Sequence, residues 1–464
     1  MRRCPAAPSA LLLAAATLAL LSFAPAAAAL KLQVDGQAVV DQLMHLAQWS
    51  DDPSPAVTRL LFTDNDMKAR AYVKQLMREA GLQIREDTMG NVYGRLPGSD
   101  PTAAAVATGS HTDAIPGAGA YDGTVGVIGG IAALRALREA GFTPAKPLEV
   151  VMFTSEEPTR FGLSCSGSRT MAGLLDPAYL DTLRDVNGST YLQAATAAGY
   201  GAASSAQMVA GARRTPADLA AFLELHIEQG PELEKEGLQI GVVTAIAAPA
   251  ALRVKFSGDG GHAGAQLMPL RNDASLAAAE LAIFVEQAAL GTGVIDTVAT
   301  VGSWQVQPNA VNSVPRETAL EIDVRDIDGP RRDGVLAAIK AKAAAIAERR
   351  KVRLQIETIN QDPPAACGTE VVAAVEGAVR ELGLSSKRMV SRAYHDALFM
   401  AQIAPTGMVF IPCRNGWSHR PDEFASPSDI ARGIEVLALA LAQLAGGSEG
   451  GSGSSGSGGA RAEL

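Results

Sequence analysis

The sequence predicts an α/β fold, with a mostly parallel sheet flanked by helices and a smaller α+β domain inserted into it. Short apolar strands alternate with helical patterns in two separate stretches, residues 30–247 and 367–445, and such alternation is typical of sheets joined by helical crossovers. The intervening residues 248–366 have the pattern of four strands and two helices. With 464 residues, 47% of them hydrophobic, the chain is long enough to build both parts.

Residues 1–29 are predicted to be a secretory signal peptide. Arg2 and Arg3 precede the apolar run SALLLAAATLALLSF and the small-residue stretch APAAAAL, which is the usual order of a charged start, an apolar centre and a cleavage region. An uncleaved anchor is the alternative. No later segment reaches the ~20 apolar residues that a membrane-spanning helix needs, so no membrane insertion is expected after cleavage.

The catalytic part is predicted to begin at residue 30 with the helical patterns VVDQLMHLAQWS and RAYVKQLMREAGLQI. The strands AAVATG and LEVVMFTS follow, with the helix GVIGGIAALRALREAGF between them. Ligands of such sheets bind at the carboxyl ends of the strands. The segments GSHTD and SEEPTRFG each follow a strand directly, so both are expected at that edge.

Residues 248–366 are predicted to form the inserted domain. Its strands are ALRVKFSG, TVATVGSWQVQP, TALEIDVRDI and KVRLQIETIN, and its helices are NDASLAAAELAIFVEQAAL and VLAAIKAKAAAIAERR. After QDPPAACG the α/β pattern resumes and ends in the helix IARGIEVLALALAQLAGG. Residues 446–464 are rich in Gly and Ser, which cannot build a core, and are predicted to be a disordered tail.

Charge and cysteine content exclude some classes of function. The formal net charge is −9 and only 19% of residues are charged, so a nucleic-acid partner has no electrostatic support. Cys165, Cys367 and Cys413 remain after signal removal. Their odd number and wide spacing do not indicate a disulfide framework, although a single bridge stays open. The triplet NGS at Asn187 is a glycosylation sequon.

The first candidate site residues lie in a glycine-rich stretch. His111 and Asp113 are two residues apart and therefore on the same side of an extended segment. The histidine can bind a metal while Asp113 holds the other ring N–H. Asp122 follows across glycines that let the chain fold back. Taken alone, the same pattern also describes a structural His–Asp pair.

A second cluster favours a metal site. Glu156 and Glu157 are adjacent at the end of an apolar strand, and two neighbouring buried carboxylates repel each other unless a cation is present. One of them can bind a metal while the other transfers protons. His226 in ELHIEQG and His419 in WSHRPDEF complete a set that suits two divalent ions, about 3.5–4 Å apart and bridged by one carboxylate. Nitrogen and oxygen donors without thiolate fit manganese, zinc or cobalt equally.

These motifs carry a resemblance to a known family. In chain order GSHTDAIP, YDG, TSEEPTRFG, ELHIEQGP, GGHAG, NAVNSVP, DVRD and YHDALFM resemble the allantoate amidohydrolase and N-carbamoyl-L-amino-acid hydrolase family, the dinuclear-metal branch of the aminoacylase/carboxypeptidase-like hydrolases. The resemblance implies a metal-dependent exopeptidase-like catalytic domain in two pieces. It also implies that the inserted domain is a lid that joins two subunits into a homodimer.

The same resemblance implies hydrolysis of the ureido group of a small carboxylic acid in purine catabolism. The expected substrate is (S)-ureidoglycolate, which would yield glyoxylate, ammonia and carbon dioxide. The alternatives with the same site are allantoate and N-carbamoyl-L-amino acids. A binding protein that kept the fold without turnover is the alternative from another class.

Site roles follow by matching each motif. The resemblance implies two ligand sets that share one aspartate, namely His111, Asp122 and His226 for the first ion and Asp122, Glu157 and His419 for the second. Glu156 is then the general base. The resemblance favours manganese for both ions, with zinc or cobalt as alternatives.

Residues of the lid are implied to contact the substrate. His262 would reach across the dimer to the oxyanion position, with a hydrogen-bonded turn histidine as the alternative. Asn312 and Arg325 would bind the substrate carboxylate, for which the guanidinium fork is suited. An ordinary ion pair of Arg325 with Asp323 or Asp326 is the alternative.

Further substrate contacts are implied in the catalytic part, at Gln229, Tyr394 and His395. Gln229 is expected either beside the metal ligands or at the substrate. His395 and its neighbour Asp396 resemble a substrate-facing pair, but both could equally cap the following helix.

Localisation is predicted from the two ends of the chain. The signal peptide predicts entry into the endoplasmic reticulum, and the terminal RAEL is similar to a retention tetrapeptide but lacks the usual acid at its second position. Secretion is the alternative.

Overall fold

The computed structural model describes residues 30–449. The predicted signal peptide and the RAEL terminus lie outside these residues, so both remain predictions. Within the described part, no helix has the length and apolar character that a membrane crossing requires.

The first part of the chain alternates helices and strands as predicted. Its helices are α1 (Gly36–Ala47), α2 (Asp64–Glu79), α3 (Thr124–Glu139), α4 (Ser166–Met171), α5 (Pro177–Thr182), α6 (Tyr191–Ala197), α7 (Ser205–Ala212) and α8 (Glu232–Glu236). Its strands are β1 (Val57–Arg59), β2 (Gln83–Glu86), β3 (Val92–Leu96), β4 (Ala105–His111), β5 (Ala114–Ala118), β6 (Phe142–Pro144), β7 (Leu148–Phe153), β8 (Leu219–Ile227) and β9 (Ile240–Ile246).

The middle and last parts follow in the same way. The middle part contains β10 (Ala248–Ser257), β11 (Gly261–His262), α9 (Ala274–Leu290), β12 (Val298–Gln307), β13 (Ser313–Val314), β14 (Glu317–Asp326), α10 (Gly329–Arg350), β15 (Arg353–Gln361) and β16 (Ala365–Ala366). The last part contains α11 (Thr369–Glu381), β17 (Ser386–Ser391), α12 (Asp396–Met400), β18 (Thr406–Ile411), α13 (Pro427–Ala445) and β19 (Gly447–Glu449). Two short 3₁₀ turns lie at Met268–Leu270 and Arg414–Gly416.

The central sheet has nine strands in the order β16-β9-β18-β8-β4-β7-β3-β2, with β17 alongside β9. Its central strands β7, β4, β8 and β18 are parallel, and so is the β17–β9 pair. Antiparallel pairs flank this centre at β3–β7, β2–β3, β18–β9 and β16–β9. The α/β fold is therefore confirmed, but the sheet is mixed rather than largely parallel. One reason is that β2 and β3 are joined only by the short loop of residues 87–91, whereas parallel neighbours need a crossover of about a dozen residues or more.

Helices cover both faces of this sheet. Helices α1, α3, α11 and α13 bury one face in a large apolar core, while α4 and α12 pack on the other. Strand β4 is buried along its whole length. The parallel strands that end at the candidate site are therefore held from both sides.

The inserted part is an antiparallel four-stranded sheet in the order β12-β14-β10-β15, with α9 and α10 packed against one face. Burial alternates residue by residue along β14, because one side of this sheet packs against the helices and the other side faces away from them. The small ribbon of β11 and β13 stands apart from it. The predicted four strands and two helices are all present.

The start of the predicted disordered tail is different. Residues Gly447–Glu449 form β19, which pairs with β6. The predicted boundary at 446 is therefore wrong by these residues, since backbone hydrogen bonds to a neighbouring strand do not require apolar side chains. Cys165, Cys367 and Cys413 form no disulfide in the described structure.

Candidate metal centre

The candidate site lies at the carboxyl ends of the parallel strands. His111 is the last residue of β4, and His226 lies one residue before the end of β8. Glu156 and Glu157 follow β7, and His419 follows β18. These four strands are neighbours in the sheet. Their ends therefore bring together residues that are far apart in sequence, as expected for this class of sheet.

The structure places the predicted ligands in two groups that share Asp122. The ligand atoms of His111, Asp122 and His226 lie within 4.8 Å of one another, and so do those of Asp122, Glu157 and His419. Asp122 Oδ1 is 3.2 Å from His226 Nε2, and Asp122 Oδ2 is 3.4 Å from His419 Nε2. Each group thus faces a different oxygen of the same carboxylate, which is the arrangement a bridging ligand requires.

The distances within the two groups fit a pair of cations. Two atoms that bind one ion at about 2.1 Å lie about 3–3.5 Å apart at ordinary coordination angles. His226 Nε2 to Asp122 Oδ1 is 3.2 Å, and His419 Nε2 to Glu157 Oε1 is 3.0 Å. The separation of His111 Nε2 from Asp122 Oδ1 is 3.8 Å, which is slightly wider. The donor set of imidazole and carboxylate suits manganese, zinc or cobalt.

Two histidines are oriented by main-chain carbonyls. His111 Nδ1 lies 3.0 Å from the carbonyl oxygen of Asp113, and His226 Nδ1 lies 2.9 Å from that of Ile227. In both rings an Nδ1–H donor leaves Nε2 directed at Asp122. A carbonyl partner on the far ring nitrogen is a common way to fix the tautomer of a metal-binding histidine.

The role predicted for Asp113 needs correction. Its carboxylate is 3.6 Å from His111 Nδ1, and it instead accepts the backbone N–H groups of Glu156 (3.2 Å) and Glu157 (3.0 Å). The main-chain carbonyl of Asp113, not its side chain, accepts the hydrogen bond from Nδ1–H of His111. Asp113 therefore joins the loop after β4 to the loop that carries both glutamates, a contact that sequence spacing does not reveal.

Charge accumulates in this buried site. Burial and the charge of Glu157 raise the pKa of Glu156 well above its usual range, even though His111 opposes this. Burial would also raise the pKa of Asp122, but its hydrogen bond with His226 and the charges of the three site histidines together outweigh that effect and lower the pKa. A hydrogen bond with Glu157 raises the pKa of His419 to about 9. Several buried carboxylates beside histidines whose Nε2 atoms point at them are typical of a site for cations.

The glycine in YDG has a steric reason. Gly123 has a φ of 66°, in the left-handed region that favours glycine. A Cβ at this position would lie 2.3 Å from Nε2 of His111. The loop can therefore fold back onto His111 only with glycine here.

A cavity of about 800 Å³ opens beside the two groups. Its floor includes His111, Asp122, Glu156, Glu157 and His419, and residues of the inserted part line the opposite wall. Glu156 Oε2 lies 3.8 Å from His111 Nε2. A carboxylate that lines the cavity beside the ligand groups is well placed to exchange protons with a bound molecule.

Three of the predicted substrate residues line this cavity, namely Gln229, Tyr394 and Arg325. Gln229 Nε2 donates to Asp122 Oδ2 at 2.7 Å. The Tyr394 hydroxyl accepts from Arg169 at 2.8 Å and donates to Asp362.

Arg325 lies at the cavity, but its guanidinium is already engaged. It pairs with Asp323 at 2.8 Å and donates to the carbonyl of Arg392 at 3.1 Å. The ion pair that the sequence left as an alternative is thus present, with Asp323 rather than Asp326. Binding of a substrate carboxylate by Arg325 requires this pair to open or to be shared.

His395 does not line the cavity, so the predicted direct substrate contact is not supported. The residue is 2% exposed, accepts or donates a hydrogen bond with Ser391 Oγ at 2.7 Å, and stacks edge-on against His226 with ring centroids 4.7 Å apart. Asp396 is fully buried and accepts from Ser168. Neither side chain caps α12. His395 therefore contacts the ligand His226 on the side away from the cavity, and Asp396 is buried beneath the site.

His262 and Asn312 also lie away from the cavity of their own chain. Both are exposed, on or next to the ribbon of β11 and β13, where the carbonyl of Asn312 accepts from Ala263. One subunit therefore does not bring them to the ligand groups. The implied role across a dimer stays a prediction.

Two buried carboxylates were missed from the sequence. Glu224 is fully buried on β8, where it accepts from Ser110 Oγ at 2.7 Å and the N–H of Ala397 at 2.9 Å. Its position two residues before His226, on the same face of the strand, was the available signal. Glu423 is 5% exposed and lies four residues after His419.

The chain shares its sequence and fold with characterised proteins. Residues 96–443 match the family described as peptidase family M20/M25/M40. The ureidoglycolate hydrolase of Arabidopsis thaliana is 53% identical over 416 residues, which span 89% of this chain and 87% of that protein. The N-carbamoyl-L-amino acid amidohydrolase of Geobacillus stearothermophilus is 39% identical over 414 residues, 89% of this chain and 100% of that protein.

A solved structure gives the same picture. The crystal structure of AtUAH in complex with (S)-hydroxyglycine has a TM-score of 0.82 and 52% sequence identity to this protein, covering 89% of this chain and 98% of that one. The resemblance that the sequence motifs indicated is therefore confirmed.

Proposed function

The chain belongs to peptidase family M20/M25/M40, and we propose that it hydrolyses (S)-ureidoglycolate to glyoxylate, ammonia and carbon dioxide. The observation that carries the substrate assignment is the 53% identity to a ureidoglycolate hydrolase over 89% of the chain. The two ligand groups that share Asp122 support the chemistry. The protein is accordingly an enzyme that acts on an amide bond.

The enzymes of this family are metal-dependent, and we assign two divalent ions to the two ligand groups, with manganese preferred and zinc or cobalt as alternatives. His111 and His226 with Asp122 would hold one ion, and Glu157 and His419 with Asp122 the other. Such a pair supplies polarisation of the ureido carbonyl and a water of lowered pKa.

Glu156 acts as the general base and then the general acid. It lines the cavity without serving either ligand group, so its carboxylate is placed to accept a proton from a bound molecule and to return it. It takes the proton of the attacking water and delivers it to the terminal nitrogen, which leaves as ammonia. The carbamate that remains loses carbon dioxide, and the resulting hydroxyglycine releases a second ammonia to give glyoxylate.

Substrate choice is tested by assaying the purified protein, loaded with Mn²⁺, on ureidoglycolate, allantoate and N-carbamoyl-L-amino acids. We expect the highest kcat/KM for (S)-ureidoglycolate, with two ammonia molecules released per glyoxylate. Addition of EDTA should abolish turnover, and Mn²⁺ should restore it. A higher kcat/KM for allantoate or an N-carbamoyl amino acid would replace the proposed substrate. No turnover of any of them would favour a binding protein.

We also propose a homodimer formed through the inserted part. Leu276, Ile283 and Leu290 are spaced seven residues apart on α9 and are 46%, 59% and 74% exposed. Beside them β12 is an edge strand of the four-stranded sheet, with one side unpaired. An exposed apolar stripe next to an open edge is a surface that a second copy would cover.

The dimer has a consequence for His262. If His262 of one subunit completes the site of the other, His262→Ala should lower kcat strongly in the homodimer. Mixed dimers with a Glu156→Gln subunit should regain activity, because one of the two sites then has both residues. Activity of purified mixed dimers checks this. A mixed dimer no more active than its two parents would contradict a shared site.

A further inference from the structure

We propose that Glu423 is a positioning residue for Asp122, the carboxylate shared by both ligand groups. The inference rests on the proposed metal site and adds to it how the bridging ligand is held. One loop, residues 418–423, would then supply the ligand His419 and also hold both the main chain and the side chain of Asp122.

The main chain of Asp122 is held by Glu423. One carboxylate oxygen, Oε1, accepts the backbone N–H groups of Tyr121 at 2.7 Å and of Asp122 at 2.8 Å. Two bonds from one oxygen to consecutive N–H groups fix the peptide plane between them. Glu423 is 5% exposed, and charge-assisted hydrogen bonds of this kind are strong when they are buried.

The loop before Asp122 and the loop of residues 418–423 are closely packed. A Cβ at Gly119 would lie 2.4 Å from the Cβ of Glu423. The loop before Asp122 therefore packs directly on the Glu423 side chain.

The side chain of Asp122 is held by the other end of the same loop. The Ser418 hydroxyl donates to Asp122 Oδ2, and Nε2 of His419 lies 3.4 Å from that oxygen. Oδ1 remains directed at His226. A small rotation of the carboxylate would move both oxygens away from their ligand groups at once. Its orientation therefore matters more than that of a ligand that serves a single ion.

A purely structural role is the alternative, and the chain contains a matched case. Glu228 is also a buried glutamate that accepts two consecutive backbone N–H groups, those of Glu232 at 2.8 Å and Leu233 at 2.9 Å. Its bonds hold the start of α8 rather than the Asp122 loop. Loss of Glu228 should therefore cost stability without disturbing Asp122.

The experiment compares wild type with Glu423→Ala, Glu423→Gln, Ser418→Ala and Glu228→Ala. Each metal-stripped protein is titrated with Mn²⁺ by calorimetry and by the EPR signal of bound Mn²⁺, and the melting temperature of the metal-free form is measured alongside. Loss of a group that orients a ligand commonly weakens metal affinity by about 10–100-fold. We expect a loss in this range for Glu423→Ala, and a smaller one for Glu423→Gln, which keeps an acceptor oxygen for both N–H groups.

Glu228→Ala should lower the melting temperature of the metal-free form but leave the Mn²⁺ affinity as in wild type. If Glu423→Ala does not fold, Glu423→Gln takes its place, because it keeps the shape of the side chain but removes the charge of the acceptor. Weaker Mn²⁺ binding by Glu423→Gln then supports the inference, and unchanged binding overturns it. If Glu423→Ala binds Mn²⁺ as tightly as wild type, or if Glu228→Ala loses as much Mn²⁺ affinity as Glu423→Ala, the inference is overturned while the proposed function stands. Absence of Mn²⁺ binding in wild type would overturn the proposed function and this inference with it.

Discussion

Replacing Glu156 by glutamine is expected to lower kcat by about 10²–10⁴-fold, the usual contribution of a general acid–base group. The amide has nearly the same shape but cannot take the proton of the attacking water. Because Glu156 belongs to neither ligand group, metal content should stay at the wild-type level. Steady-state kinetics on ureidoglycolate and metal analysis of the purified variant measure both effects.

Glu157→Gln is the matched comparison, since it makes the same chemical change one residue away. Glu157 lies 3.0 Å from His419 Nε2 and belongs to the second ligand group, so this variant should bind less metal as well as turn over slowly. The two glutamates would exchange roles if Glu156→Gln lost metal and Glu157→Gln kept it. Wild-type kcat in Glu156→Gln would remove it from the mechanism.

Asp122→Asn should have the largest effect of any single substitution. Asp122 is the one residue that both ligand groups contain, and an amide offers one neutral oxygen where the carboxylate offers two charged ones. Metals in such sites contribute several kcal/mol to catalysis, and each ~1.4 kcal/mol is a factor of ten. We therefore expect turnover to fall by at least about 10³-fold, with weaker binding at both sites. Metal content after gel filtration and activity in excess Mn²⁺ test this.

Asp326→Asn is a suitable control for that experiment. Asp326 is fully buried in the inserted part, where it pairs with Arg331 and Thr297 away from the ligand groups. Its loss should destabilise the fold and leave metal content unchanged. If Asp122→Asn lost only one ion, or kept both with normal turnover, Asp122 would not bridge two sites.

Much of the site was accessible from the sequence because its chemistry is local. A histidine, an aspartate among glycines and a pair of adjacent glutamates each follow a recognisable strand, and the carboxyl ends of parallel strands meet at one edge. The grouping of His111, Asp122 and His226 that the family resemblance implied is also the grouping in the structure. The same reasoning missed Glu423, since its role depends on backbone N–H groups that lie 301 and 302 residues away.

Other expectations failed for a related reason. The sequence left His395 either at the substrate or at the cap of α12, but the turn after β17 directs it behind His226. For Arg325 the sequence left a substrate carboxylate and an ion pair as alternatives, and the structure has the ion pair, with Asp323 two residues earlier on β14. Side chains two apart on a strand share a face, so this competitor was visible in the sequence, but its geometry was not.

The sequence by itself determined the α/β pattern and the inserted four-stranded domain, because hydrophobic periodicity expresses them directly, and its residue types indicated a site for divalent cations. The assignment of five ligands to two ions came from the resemblance of its motifs to a known family. Only the tertiary structure decided which strand pairs are antiparallel and which atom of Asp113 accepts the hydrogen bond from His111. It also decided that one loop binds both the main chain and the side chain of Asp122. These depend on contacts between backbone groups and distant side chains. Every residue except proline carries the same backbone donor and acceptor, so the residue types in the sequence do not indicate such a contact.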